Sequence, residues 1–238
     1  MAVSESERRA VKAQVECRAG TGGRTIGGYA AKFNRMSQNL GGFVERIDPA
    51  FFNGSRGDGW PDVIARYNHD DNMVLGTTAA DTLRLSVNDT GLLYEADLPS
   101  SRADVYELVQ RGDVSKSSFA FIALEDDWGL TESGFPLRTL ITGRLIDVAP
   151  VNTPAYKDTD TGLRSLARKF DAPLEEVRNL AQRNELRKLL ARSDRPSTRR
   201  RDPRYALATA MIKASEPGLH RHSARRALIE VMDAGGER

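Results

Sequence analysis

Short apolar runs follow one another from Val11 to Tyr156, and nearly all are broken within about ten residues by Gly, Pro or Asn-Asp punctuation. That pattern leaves few architectures open. It calls for many short strands joined by tight turns and closing on one another. Val11, Ala13 and Val15 alternate with polar residues, so VKAQVECRA reads as a half-buried strand. TIGGYAAKF follows, its glycine pair marking a bulge or close backbone packing. SQNLGGFVERIDPAFFNGSRGDG reads as loop with a short apolar turn. PDVIARYNHD is a strand that runs out into a polar turn. MVLGTTAADTLRLSVNDTGLLYEADLP holds two or three short strands with turns at Ala80-Asp81-Thr82 and Asn88-Asp89-Thr90-Gly91. SSFAFIALEDDW predicts another strand, and PLRTLITGRLIDVAPVNTPAY predicts two more, closed by prolines. SRADVYELVQRG is a short helix with a Ser/Asp cap and a stop at Gly112. The expected fold is α+β: a mostly antiparallel, barrel-like β core with peripheral helices.

From residue 161 the period changes. In LRSLARKF and APLEEVRNLAQRNELRKLLARS, Leu174, Val177, Leu180, Leu186, Leu189 and Leu190 recur at helical spacing, and Pro173 suits a helix start. A basic, proline-containing linker near 193–204 separates these from two more short helical stretches, RYALATAMIKASEPG and HSARRALIEVMDAGGER. The expected organisation is a β-rich domain over 1–160 and a basic helical C-terminal extension over 161–238. The chain as a whole carries a net +2, yet residues 161–238 hold 18 Lys and Arg against 10 Asp and Glu, so the body is mildly acidic. The extension reads as a solvated helical face, with unspecific contact to nucleic acid or an acidic protein surface as the alternative. It lacks any base-reading or stacking motif.

No run approaches the roughly 18 apolar residues of a membrane span, and the start, MAVSESERRAVKAQ, has no apolar signal core. We therefore expect no membrane association. Cys17 is the single cysteine, which excludes an internal disulfide and fits a reducing cytosol. It leaves no Cys/His metal cluster, and no metal or cofactor is expected. The histidines are His69, His220 and His222.

The stretch DVSKSSFAFIAL crowds Ser115, Ser117 and Ser118 at the entrance to an apolar strand. A strand-entry turn explains serines there; a nucleophile is the other reading. Alternation puts Ser118, Ala120 and Ile122 on one face and Ser117, Phe119 and Phe121 on the other. The aromatic face should be core, leaving Ser118 on the less bulky face where a substrate could approach. A serine hydroxyl needs a base, and the base needs an acceptor on its other nitrogen. His69 is the only histidine in the β-rich body and sits where a strand meets a loop. Asp147 is the only acid in the apolar stretch Leu145–Val151, where a salt bridge to Arg144 or Arg138 is the alternative reason for it. No G-x-S-x-G elbow and no S-x-x-K is present.

Taken in order, GYAAKFN, FVERIDPAFF, YNHDDNMVLG, GLLYEADLP, RGDVSKSSFAF and LIDVAPVNTPAYKDT resemble the phage prohead (capsid maturation) serine proteases, a family related in fold to the herpesvirus assemblins. The resemblance covers about residues 12–168. It implies a catalytic histidine in the N-H-D stretch, here His69, a nucleophile before the aromatic-small-Phe strand, here Ser118, and a third, acidic member at Asp147. Ser117 stays open as the alternate nucleophile, since Val-Ser-Lys-Ser departs from the family's Gly-Met-like pair, and the acid in the family is often Glu. The resemblance further implies an endopeptidase that cuts scaffold or major capsid protein segments, and itself, inside the assembling procapsid in the host bacterial cytoplasm, with self-association. Backbone N–H groups near Pro154-Ala155 are the expected oxyanion donors. A catalytically inactive scaffolding or assembly protein with the same fold is the alternative.

Overall fold

The computed structural model describes residues 6–18, 23–153 and 159–191. The strands are β1 Glu7–Arg18, β2 Thr25–Lys32, β3 Val44–Ile47, β4 Ile64–Arg66, β5 Val74–Thr77, β6 Leu83–Asn88, β7 Gly91–Asp97, β8 Lys116–Leu130 and β9 Pro136–Val151. The helices are α1 Asn53–Gly57, α2 Ala103–Arg111, α3 Thr159–Phe170, α4 Leu174–Gln182 and α5 Arg187–Leu190. The strands run in the order β5-β4-β9-β8-β1-β2-β7-β6, with β3 also on β9, and curl into a nearly closed mixed barrel. The α+β, barrel-like core is as expected. Most pairs are antiparallel, but β3 and β4 both run parallel to β9. Among the described residues no helix is long and apolar enough to cross a membrane.

The long β8–β9 hairpin is the spine. The segment expected to give two strands is one, β9, which runs on through Gly143. That glycine is a point of close approach: a Cβ there would lie 2.1 Å from Cζ of Phe51. Phe51 also accepts a backbone hydrogen bond from Gly143 N at 3.0 Å. Register shifts after Ala120 and either side of Glu125 bend β8 around the core. The expected aromatic face is core. Phe119 and Phe121 stack at 5.0 Å and meet Phe52 and Phe51 edge-on at 5.8 and 5.3 Å.

Two strands begin or lie where charge hid them. β3 reads VERI inside the predicted loop, and β1 starts at Glu7, four residues before the alternation begins. Their Glu7, Arg9 and Glu45 side chains enter a buried ion cluster. Arg138 Nη1 donates to Glu7 (2.7 Å) and Glu45 (3.0 Å), its Nη2 to Glu7 (2.9 Å), and its Nε to Asp126 (2.7 Å). Arg9 bridges Glu45 (2.7 Å) and Glu7 (2.6 Å). Burial works against the Arg138 charge, but Glu7 and Glu45 outweigh it and push the guanidinium pKa up.

Helices α3–α5 share a second apolar cluster with the barrel: Leu163, Leu166, Val177, Leu186 and Leu189 pack with Leu40, Phe43 and Trp128. Pro173 caps α4 as expected, but the helix breaks at Asn184, which takes φ 55° and yields α4 and α5 instead of one run. The chain divides into two units, Met1–Arg192 and Ser193–Arg238. The second unit, with the expected linker near 193–204 and both later helical stretches, lies outside the described residues.

Candidate active site

Three adjacent strands build the site. β4 lies beside β9 with Ile64 opposite Asp147, and β9 lies beside β8 with Ala149 opposite Ser118. The chain leaves β4 through a 3-10 turn, Tyr67–His69. Asn68 and His69 both take positive φ, 54° and 59°, which is uncommon for residues with a side chain. The Asn68 carboxamide oxygen accepts from Asn152 N at 3.1 Å, tying the turn to the end of β9. A strained turn held from outside in this way fixes its side chains.

The result is a line of three side chains. His69 Nδ1 is 2.7 Å from Asp147 Oδ1, and His69 Nε2 is 2.7 Å from Ser118 Oγ. An ionised carboxylate only accepts, so Nδ1 carries the proton and Nε2 faces the hydroxyl. Exposure is 7 % for His69, 3 % for Asp147 and 0 % for Ser118. Ser118 thus lies on the expected face, but it is covered, not open. The carbonyl oxygen of Arg9 in β1, 2.9 Å from Oγ, is a second acceptor within reach of the hydroxyl proton.

The other candidates fall elsewhere. Ser117 is buried on the opposite face, 3.2 Å from the Tyr94 hydroxyl, whose pKa burial pushes up. Ser115 offers its carbonyl to Val15 N at 3.3 Å. Neither Arg144 nor Arg138 pairs with Asp147. Its second oxygen instead accepts from Arg66 Nη1 at 2.9 Å, while Arg66 Nε lies 3.1 Å from Asp71. Sequence reasoning missed Arg66. The signal was its place on a strand leading to His69, but its partner depends on the parallel β4–β9 pairing. Cys17 is half-buried, its Sγ 3.8 Å from the Tyr106 carbonyl. Among the described residues no group of three His, Cys, Asp or Glu could hold a metal ion. His220, His222 and the expected oxyanion donors at Pro154-Ala155 lie outside the described residues.

A family model described as Caudovirus prohead serine protease matches residues 11–172, spanning all three of these side chains. The chain belongs to that family. Comparisons with curated proteins and with solved structures give no match.

Proposed function

We propose that the chain is the prohead maturation endopeptidase of a tailed phage, with Ser118 as nucleophile, His69 as general base and Asp147 as orienting acid. The observation that carries this is the unbroken line from Asp147 through His69 to Ser118, two contacts of 2.7 Å each. His69 Nε2 takes the Ser118 proton as Oγ attacks a peptide carbonyl. Asp147 holds the ring and stabilises its charged form. His69 then gives the proton to the leaving amine, and a water molecule, activated the same way, releases the acyl group. Donors to the oxyanion supply roughly 3–4 kcal/mol of the barrier reduction. No step requires a metal or cofactor.

The family supports scaffold or major capsid protein segments as substrates, together with the chain itself, inside the assembling procapsid in the host cell. We propose that the basic region beyond the β-rich domain directs the enzyme into the shell or acts as scaffold, and that the enzyme self-associates.

The test is intact mass spectrometry of wild type, Ser118→Ala and Ser117→Ala, each alone and co-expressed with the capsid protein. Wild type and Ser117→Ala should cut, and Ser118→Ala should leave every chain whole. Cutting by Ser118→Ala would overturn the assignment of nucleophile. Silence of wild type with the capsid protein present would favour the inactive assembly protein.

A further inference from the structure

The Ser118 hydroxyl has one proton and two acceptors within reach, His69 Nε2 at 2.7 Å and the Arg9 carbonyl at 2.9 Å. With the proton turned to Arg9, Oγ has none to give to Nε2. His69 then cannot take that proton as Oγ attacks. The contact therefore competes with His69 for the proton that activates the nucleophile. It also places the carbonyl of an extended strand beside the nucleophile, where a substrate carbonyl must come.

We propose that the edge of β8 beside Ser118 is the berth for the substrate, an extended peptide with a basic side chain, and that residues 7–11 of β1 occupy it in the resting enzyme. This rests on reading Ser118 as the nucleophile.

β1 is divided in a way that lets its first half leave. Residues 7–11 pair with Ser117–Phe121 of β8, whereas Val15–Arg18 pair with β2, and the register shifts between Val11 and Gln14. The β1–β2 ladder uses none of residues 7–11. Peptides commonly add as a strand to such an edge, with backbone pairing for affinity and side-chain pockets for selectivity.

The buried anchors of this segment are polar, while half-buried Val11 at its end packs on the main core. Glu7 and Arg9 bury their side chains in the ion cluster, Arg8 is exposed and Ala10 is half-buried. A buried ion pair adds little net stability, because leaving restores hydration to both charges. Glu7 and Arg9 leave as a neutral pair. Glu45, Asp126 and Arg138 stay behind with one surplus negative charge. The Phe121 ring, 5.5 Å from the Arg9 guanidinium, stays too. A carboxylate and an aromatic face select a Lys or Arg side chain in the place of Arg9. The family match starts at Val11, so Glu7–Ala10 precede the matched region.

The test uses the full chain. In Arg8→Cys/Ala120→Cys, whose positions are opposite one another on β1 and β8, oxidation ties the segment down. Labelling of Ser118 by a fluorophosphonate probe should slow at least tenfold on oxidation and recover on reduction. Glu7→Gln/Arg9→Gln, which loosens the segment, should label at least tenfold faster than wild type. In that variant carrying Ser118→Ala, a fluorescent peptide of sequence SERRAVK should bind, and the same peptide with both arginines replaced by glutamate should not. Equal labelling rates with no peptide binding overturn the berth and leave the protease standing. Peptide binding without labelling of any form overturns the protease and leaves the berth. Absence of both overturns both.

Discussion

At Asp147 each carboxylate oxygen has a separate partner: Oδ1 faces His69 and Oδ2 accepts from Arg66. A carboxylate fixed at both oxygens cannot rotate, so the imidazole it holds keeps one tautomer and one aim. With Asp147 proposed as the orienting acid, Arg66 touches no reacting atom and is a positioning residue in that proposal. A hydrogen bond to a charged group contributes about 1.5–3 kcal/mol. Arg66→Ala should therefore slow capsid-protein cleavage about 10- to 100-fold in kcat with KM little changed, and Arg66→Lys should recover part of the loss. Asp147→Asn should be worse, about 10⁴-fold, because the amide can donate to Nδ1 and reverse the tautomer. Single-turnover cleavage assays distinguish the two; an Arg66→Ala effect confined to KM would count against positioning. Asp147, His69 and Ser118 could be singled out as candidates because the stretches that carry them stand in the order the resemblance requires. Arg66 could not, because an arginine at a strand end has no signature until a neighbouring strand is assigned.

Among the elements, strands with clear alternation were legible and charged ones were not. VKAQVECRA signalled β1 from Val11 onward, but Glu7–Ala10 and the VERI of β3 gave no such signal, since Glu7, Arg9 and Glu45 are buried only because they meet each other and Arg138. Gly143, inside the single strand β9, makes room for the Phe51 ring. Gly143→Ala should overpack that contact and destabilise the protein by about 1–3 kcal/mol or more, read as a lower urea midpoint. The joint between α3 and α4 is electrostatic on its outer side. Asp160 accepts from Arg178 (2.8 and 2.9 Å) and Arg164 (2.9 Å), and these bonds, those of Arg178 first, hold its carboxyl below the ordinary value. A depressed carboxyl contributes stability above the ordinary pKa and loses it as pH falls through the folded value. The gap in urea midpoint between wild type and Asp160→Asn should thus be present at neutral pH and shrink below about pH 4. A gap constant down to strong acid would show that the pairing adds nothing.

For the whole molecule, the change of sequence period at residue 161 and the edge of the compact unit are different boundaries. The helical pattern starts after the barrel ends, but α3–α5 carry Leu163, Leu166, Val177, Leu186 and Leu189 onto Leu40, Phe43 and Trp128, so the unit runs to Arg192. Periodicity shows that a helix has an apolar face; it does not show where that face is buried. Two truncations separate these boundaries. A chain ending at Arg192 keeps both apolar clusters and should melt within a few degrees of the full chain. A chain ending at Ser165 strips most of the second cluster, uncovers Phe43 and Trp128, and removes four large apolar side chains from the packing. Losing even one such side chain costs about 2–5 kcal/mol, against a total of about 5–15 kcal/mol for a typical domain. That chain should aggregate or melt far lower, and should do so with Ser118, His69 and Asp147 all still present. If instead it folds with an undiminished melting temperature, the helices are an appendage and the enzyme is the barrel alone. The Arg192 truncation is then the proper background for asking whether residues 193–238 carry the protease into the procapsid: a folded, probe-reactive enzyme that fails to be packaged assigns delivery to those residues, and undiminished packaging removes that role from them.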